Sequence, residues 1–199
     1  MSKHQNSTMP SKYEICKYWE DKIFDLDFFI DWNEPSCWSC GEFWNGRYDC
    51  KGKNLSRNKI LKNWEKAPLQ RCHIIPRSLG GLNEPSNLFL MCKECHDIAP
   101  NTSFPDIFFQ WARKQNFLER HAYRIQQSLT AFSIHEELYP KLDAISKTRE
   151  FKDFAHKHSG LHRSQSGYSG VGRQLTDSTM IGLLFYYYEN IYLASRMRS

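Results

Sequence analysis

Four cysteines arranged in two pairs constrain this chain more than any other feature. Cys37 and Cys40 form one Cys-x-x-Cys pair, and Cys92 and Cys95 form a second. A two-residue gap lets both thiolates of a pair reach one metal ion from a tight turn, and four sulfurs complete the tetrahedron that structural zinc prefers. The pairs therefore predict a structural Zn²⁺ site joining two distant segments. Four buried thiols without a metal are the alternative.

The cysteines also bear on the compartment. The chain has seven of them, and its first residues, Met-Ser-Lys-His-Gln-Asn-Ser, contain no apolar stretch typical of a signal peptide. In an unsecreted chain, two Cys-x-x-Cys pairs favour a metal over disulfides. The longest apolar run, residues 180–194, is too short for a bilayer and contains Glu189 and Asn190. We expect a soluble, cytoplasmic protein with no membrane partner.

Two histidines and an asparagine accompany the cysteine pairs. His73 follows a short apolar strand, Asn87 comes after a Gly-Gly turn, and His96 directly follows Cys95. In combination with the four cysteines, these residues resemble the HNH (ββα-metal) endonucleases, in a zinc-braced version. The resemblance covers residues 36–102. It implies an α+β fold with a ββα-metal (HNH) nuclease core and a four-cysteine zinc site, flanked by N-terminal and C-terminal helices.

The resemblance also implies a role for each of the three residues. His73 would be the base that activates water, Asn87 would tie down the loop that orients the base, and His96 would bind a catalytic divalent cation, Mg²⁺ or a transition metal such as Mn²⁺. Each residue alone has a simpler interpretation: a structural histidine, an asparagine that caps a turn, and a fifth candidate ligand for the zinc. Only their joint spacing favours the catalytic interpretation.

Cys72 departs from the family pattern. The residue before the catalytic histidine is Asp or His in much of the family, where it supplies a second metal ligand. A thiolate is a soft ligand that is poorly matched to Mg²⁺. Three interpretations stay open: a softer metal ion, completion of the metal shell by Asp97 or Asn101, or a Cys72 that only packs.

Charge is distributed unevenly along the chain. Residues 51–80 carry eight Lys or Arg against one acid, a net charge of +7, whereas residues 12–36 carry three Lys against seven acids, a net charge of −4. Such asymmetry fits a basic face presented to a polyanion, although a solvated lysine-rich loop would have the same composition. The predicted DNA-binding residues of this segment are Lys51, Lys53, Arg57, Lys59, Lys62, Arg71 and Arg77.

A second candidate DNA-binding segment lies near the C-terminus. Residues 156–176 are rich in Gly and Ser, contain three His and no acid, and have the composition of a loop. Arg163 and Arg173 in this segment could contact base edges. A flexible surface loop is the equally weighted alternative.

The predicted organisation has four parts. We expect a disordered N-terminus (1–11), an N-terminal helix (12–35, helical over 13–32), the nuclease core (36–102), and a mainly helical region (103–199) for DNA recognition or dimerisation. Asp177 or Ser178 is expected to cap the last helix. The aromatic cluster 185–188 could line a homodimer interface, but core packing is favoured.

These features predict a metal-dependent HNH endonuclease that acts on double-stranded DNA, most simply a restriction or phage-type enzyme. The main alternative is a zinc-containing nucleic-acid-binding module that has lost catalysis, and Cys72 is the residue that favours it. An HNH nuclease acting on RNA or on structured DNA is a third possibility.

Overall fold

The computed structural model describes residues 8–44, 47–160 and 175–196. The described residues form two compact units, with the division after residue 117. Arg163 and Arg173, two of the predicted DNA-binding residues, lie outside the described residues, as do residues 1–7 of the predicted disordered N-terminus. None of the helices in the described ranges has both the length and the apolar character needed to cross a membrane.

The first unit is built around a two-stranded antiparallel sheet. Strand β1 pairs with β2 in a register that runs from Gln70 opposite Met91 to His73 opposite Leu88. Helix α3 follows β2 directly and packs against both strands, which completes a ββα unit and confirms the predicted α+β fold. The elements of this unit are α1 (Lys12–Trp19), α2 (Arg57–Asn63), β1 (Gln70–His73), β2 (Leu88–Met91), α3 (Lys93–Ile98) and α4 (Pro105–Ala112).

Strand β2 lies at the centre of the core. All four of its side chains are 0 % exposed, which explains why its sequence, Leu-Phe-Leu-Met, is an uninterrupted apolar run rather than an alternating one. The ring centroids of Phe28 and Trp38 each lie 5.1 Å from that of Phe89. Phe108 of α4 is also 0 % exposed in this cluster. The boundaries 36–102 stay a prediction, and the compact unit that contains them also includes α4.

The N-terminal helix is shorter than predicted. Helix α1 begins after a capping box between Ser11 and Glu14 and ends at Trp19, so the prediction of one helix over residues 13–32 was wrong. A short 3₁₀ helix, Ile23–Leu26, follows and ends at Asp27, whose left-handed φ of 61° stops helical propagation. Ile23 and Leu26 still pack against the core, because side chains of a 3₁₀ turn repeat every three residues, whereas Phe24 is 74 % exposed.

The second unit is helical in the residues described. Its apolar core includes Tyr188, which is 8 % exposed, whereas Tyr186 is 57 % exposed; most of the aromatic cluster 185–188 therefore packs inside this unit. Thr176 caps the penultimate helix by accepting a hydrogen bond from the Thr179 amide, so the predicted caps, Asp177 and Ser178, were off by one or two residues. Its helices are α5 (Phe117–Ala131), which begins at the division, α6 (Tyr139–Ser146), α7 (Arg149–His158), α8 (Asp177–Tyr187) and α9 (Leu193–Arg196), the last two joined by a π-helical turn, Tyr188–Tyr192.

Candidate metal centre and active site

The four cysteine sulfurs converge on one point. They all lie within 4.8 Å of one another, and each of the four residues is buried. Zn–S bonds of about 2.3 Å would place tetrahedral sulfurs roughly 3.8 Å apart, and the Sγ atoms of Cys40 and Cys92 are 3.9 Å apart. The donor set and its spacing therefore fit a structural metal such as zinc.

Local backbone geometry builds the two halves of this centre. In the first half, the Gly41 amide donates to the Cys37 carbonyl (2.9 Å), with Gly41 at a left-handed φ of 77°. In the second half, Cys92 is the N-cap of α3, and its Sγ accepts a hydrogen bond from the Cys95 amide at 3.4 Å. The Trp38 amide donates to the Leu90 carbonyl (3.0 Å), which attaches the first half to β2.

The electrostatics of the cluster favour a cation. Burial raises the pKa of the Cys37 thiol well above its usual range. Hydrogen bonds from the Cys37 and Cys40 side chains lower the pKa of Cys92 to about 6. One thiolate is therefore stabilised by its neighbours, whereas further ionisation in this buried space requires a compensating positive charge, which a bound metal provides.

His73 lies at the end of β1 and is half-buried. Its Nε2 is 2.9 Å from Oδ1 of Asn83. With the amide oxygen as acceptor, Nε2 carries the proton and Nδ1 is left with the lone pair that a base requires. Sequence reasoning missed Asn83, because an asparagine after Gly-Gly-Leu has the ordinary composition of a turn.

Asn87 holds the loop that connects the two strands, residues 74–87. Its Oδ1 accepts a hydrogen bond from the Ile75 amide (2.9 Å), and its Nδ2 donates to the carbonyls of Ile75 (2.9 Å) and Leu82 (3.0 Å). The side chain therefore joins the two arms of the loop, directly after the backbone of His73. This geometry supports the predicted tethering role of Asn87.

Two further residues shape this loop. A Cβ on Gly81 would lie 1.7 Å from the Ile75 carbonyl oxygen, so only glycine fits there. The Trp19 indole Nε1 donates to the carbonyls of Pro85 (2.9 Å) and Leu88 (2.8 Å) and so attaches the end of the loop to α1. An open cleft of about 350 Å³ lies between this loop, α1 and α4.

His96 is exposed on α3, with its Nδ1 3.5 Å from Oδ1 of Asp97. A hydrogen bond from Lys93 lowers the pKa of Asp97, so this neighbouring group is a carboxylate. Within the part of the chain that the structure describes, the four-cysteine cluster is the only group of three or more potential metal ligands. His96 is not in that cluster, which argues against the alternative that it binds the zinc.

Cys72 faces the core. It is 6 % exposed and lies opposite Phe89 in the sheet. Burial raises the pKa of its thiol to about 12, so the side chain is uncharged near neutral pH. Its sulfur is not one of the four that converge. Of the three interpretations of Cys72, the structure therefore favours packing.

Five of the predicted DNA-binding residues fall into two groups. Lys51 forms ion pairs with Asp31 (3.0 Å) and Glu34 (2.9 Å), and Arg57 pairs with Glu20. These cations are neutralised by acids of the N-terminal segment. A second group, Lys53, Lys59 and Lys62, lines a surface pocket together with Lys66.

The two remaining predicted arginines are exposed near β1. Arg71 donates from Nη1 to the Pro10 carbonyl at 3.0 Å, which engages part of its guanidinium. Arg77 begins the 3₁₀ turn Arg77–Leu79 in the loop after His73.

Residues 61–103 match a family model described as HNH endonuclease. The matched segment includes β1, the loop that Asn87 holds, β2 and α3, together with His73, His96 and the second cysteine pair. No curated protein and no solved structure matches the chain.

Proposed function

From the HNH endonuclease domain that this chain carries, we propose that the protein is a metal-dependent endonuclease that hydrolyses phosphodiester bonds of double-stranded DNA. The observation that carries the proposal is the position of His73. It ends β1 of a ββα unit, its Nε2 contacts Asn83 at 2.9 Å, and the adjoining loop is held by Asn87. A base must be placed rigidly to assist in-line attack on phosphorus, and these contacts provide that rigidity.

In the proposed mechanism, Nδ1 of His73 takes a proton from the attacking water. Asn83 keeps the other ring nitrogen protonated by accepting its hydrogen bond, and the P–O bond to the leaving oxygen breaks as that oxygen takes a proton from solvent. His96, with Asp97 beside it, would hold the catalytic divalent cation together with substrate phosphate and water. When bound, such a cation stabilises negative charge on the phosphate and on the leaving oxygen.

The substrate assignment rests on charge and on chain length. The protein has a net charge of +5, and part of its basic segment is not neutralised by its own acids. The described residues 118–160 and 175–196 form a second compact unit with its own core, which phosphate hydrolysis itself does not require. A restriction or phage-type enzyme would use such a unit for target recognition, with Arg163 and Arg173 as candidate contacts, or for homodimerisation. None of the seven cysteines forms a disulfide, which suits a reducing compartment, so we place the enzyme in the cytoplasm.

One observation favours a second candidate, a nucleic-acid-binding module without catalysis. Cys72 is buried, and no protein carboxylate or histidine in the described residues joins His96 and Asp97 in a three-ligand group. A cation held by so few protein ligands would bind weakly in the absence of substrate.

The test compares cleavage by the wild type, His73→Ala and a control, His135→Ala, which removes an exposed histidine of the second unit. Supercoiled plasmid, linear plasmid, RNA and a branched DNA are incubated with Mg²⁺, Mn²⁺, Co²⁺, Ni²⁺ or EDTA. Discrete fragments of duplex DNA, lost in His73→Ala and kept in His135→Ala, are the expected result. Cleavage of RNA or of the branched substrate alone would overturn the substrate assignment. Retained DNA binding without cleavage in any metal would support the binding module.

A further inference from the structure

Four lysines line a pocket on the surface of the first unit, and no residue of the loop that Asn87 holds lines it. The pocket has a volume of about 330 Å³. Its other lining residues are Cys50, Leu55 and Asn63, so none of the residues that line it is acidic. We call this surface, defined by Lys53, Lys59, Lys62 and Lys66, the lysine pocket.

Helical periodicity places three of these lysines on one face. Helix α2 continues into a 3₁₀ turn, Trp64–Lys66, and Lys59, Lys62 and Lys66 are spaced by three and four residues, which is one side of a helix. The opposite side is fixed in the core, because Leu61 and Trp64 are both 0 % exposed. The lysine side chains are therefore held outward by the packing of the helix.

Lys53 reaches the same pocket from the preceding loop. It follows Gly52, whose φ of 71° turns the chain, and its Nζ donates to the Asp49 carbonyl oxygen at 2.9 Å. That contact orients the side chain without neutralising it, because a backbone carbonyl carries no net charge.

The charge of the lysine pocket is not balanced from within the chain. In the described ranges, no carboxylate lies within ion-pair distance of any of the four lysines, in contrast to Lys51 and Arg57. The nearest acid in sequence, Glu65, uses Oε1 to accept from the Tyr13 amide at 2.7 Å. Like charges three or four residues apart repel one another, so this arrangement opposes folding unless an anion offsets it.

We infer that the lysine pocket binds a backbone phosphate of the nucleic-acid substrate, at a distance from the bond that is cleaved. The inference rests on the proposed function for the identity of the anion. Lysine ammonium groups act as point charges that suit phosphate oxygens, and they lack the bidentate geometry by which arginine recognises guanine. The pocket therefore contributes affinity and positioning, and it is indifferent to base sequence.

The experiment measures duplex affinity as a function of salt, in the His73→Ala background so that the DNA stays intact. The double variant Lys59→Gln/Lys62→Gln is compared with Lys147→Gln/Arg149→Gln, which removes the same charge from cations that already form ion pairs. Fluorescence anisotropy with two unrelated duplexes gives the slope of log K against log [KCl]. Each lost phosphate contact reduces that slope by about 0.9, so the pocket variant, which loses its one phosphate, should lose about 0.9 on both duplexes, and Lys59→Arg/Lys62→Arg should restore the slope. The control double variant should have the same slope as the His73→Ala protein.

The outcomes separate this inference from the proposed function. Cleavage by the wild type, together with an unchanged slope in the pocket variant, would overturn the inference and leave the endonuclease in place. A reduced slope without cleavage by the wild type would support the pocket and remove the endonuclease. Thermal stabilisation by inorganic phosphate alone, with an unchanged duplex slope, would reassign the pocket to a free anion and overturn the inference.

Discussion

Replacing Asn87 with alanine tests how the candidate active site is held. The substitution removes three hydrogen bonds, one from the Ile75 amide and two to the carbonyls of Ile75 and Leu82. A net contribution of about 1 kcal/mol for each bond predicts a loss of about 3 kcal/mol in the free energy of unfolding. Asn87→Asp keeps the acceptor, loses both donors and points a negative charge at two carbonyl oxygens. We therefore expect this variant to lose at least about 2 kcal/mol in the free energy of unfolding.

Tryptophan fluorescence in a urea titration is the assay for this prediction. All six tryptophans lie in the first unit, at positions 19, 32, 38, 44, 64 and 111, so the signal reports on the unit that contains the loop. Asn58→Ala is the matched control, since Asn58 is exposed and makes only a long contact (3.4 Å) with the Tyr13 hydroxyl. The free energy of unfolding of Asn58→Ala should stay within about 0.7 kcal/mol of that of the wild type.

The same variants should separate stability from catalysis. Cleavage by Asn87→Ala at a temperature where it is folded should fall by about 100-fold, because a displacement of the base by about 1 Å costs that much. An unfolding free energy within about 0.5 kcal/mol of the wild type would refute the argument that Asn87 holds the loop. Cleavage at the wild-type rate by a destabilised Asn87→Ala protein would refute the argument that Asn87 positions His73.

Four further substitutions test other parts of the site. Gly81→Ala should cost about 3 kcal/mol in the urea titration, because the added Cβ would overlap a carbonyl oxygen at 1.7 Å. Cys40→Ser should abolish stoichiometric zinc, measured by release to a chromogenic chelator, because it removes one of the four converging sulfurs. Cys72→Asp should lower the melting temperature without improving Mg²⁺-supported cleavage, because the carboxylate would be buried. Asn83→Asp stabilises the protonated form of His73, so the acid limb of the pH–rate profile should move upward by about 1 pH unit.

Controls for these variants come from the same chain. Cys50→Ser changes a buried cysteine outside the cluster and should retain zinc; zinc retained by Cys40→Ser as well would contradict the four-sulfur site. Cys72→Ala should keep cleavage, and faster Mg²⁺-supported cleavage by Cys72→Asp would show that position 72 can reach the catalytic metal. Asn83→Ala should slow cleavage without the upward shift in the acid limb that Asn83→Asp produces.

Features of the core that depend on adjacent residues were predictable. The returning strand, Leu88–Met91, and the following helix, Lys93–Ile98, belong to the ββα core that the resemblance implies, and both depend on adjacent residues, an apolar run and a Cys-x-x-Cys turn. The N-terminal helix was predicted too long because apolar spacing alone does not distinguish an α-helix from a 3₁₀ turn that keeps the same side chains inward.

The sequence by itself therefore determined the four cysteines that fit a structural metal such as zinc, the ββα elements, and the resemblance that makes His73, Asn87 and His96 candidate site residues. The tertiary structure alone decided which charges are neutralised, since the partners of Lys51 and Arg57 lie far away in the chain. It also decided that Asn83 contacts His73. Composition counts charges and polar groups, but ion pairs and hydrogen bonds between distant residues exist only once packing has brought their atoms together.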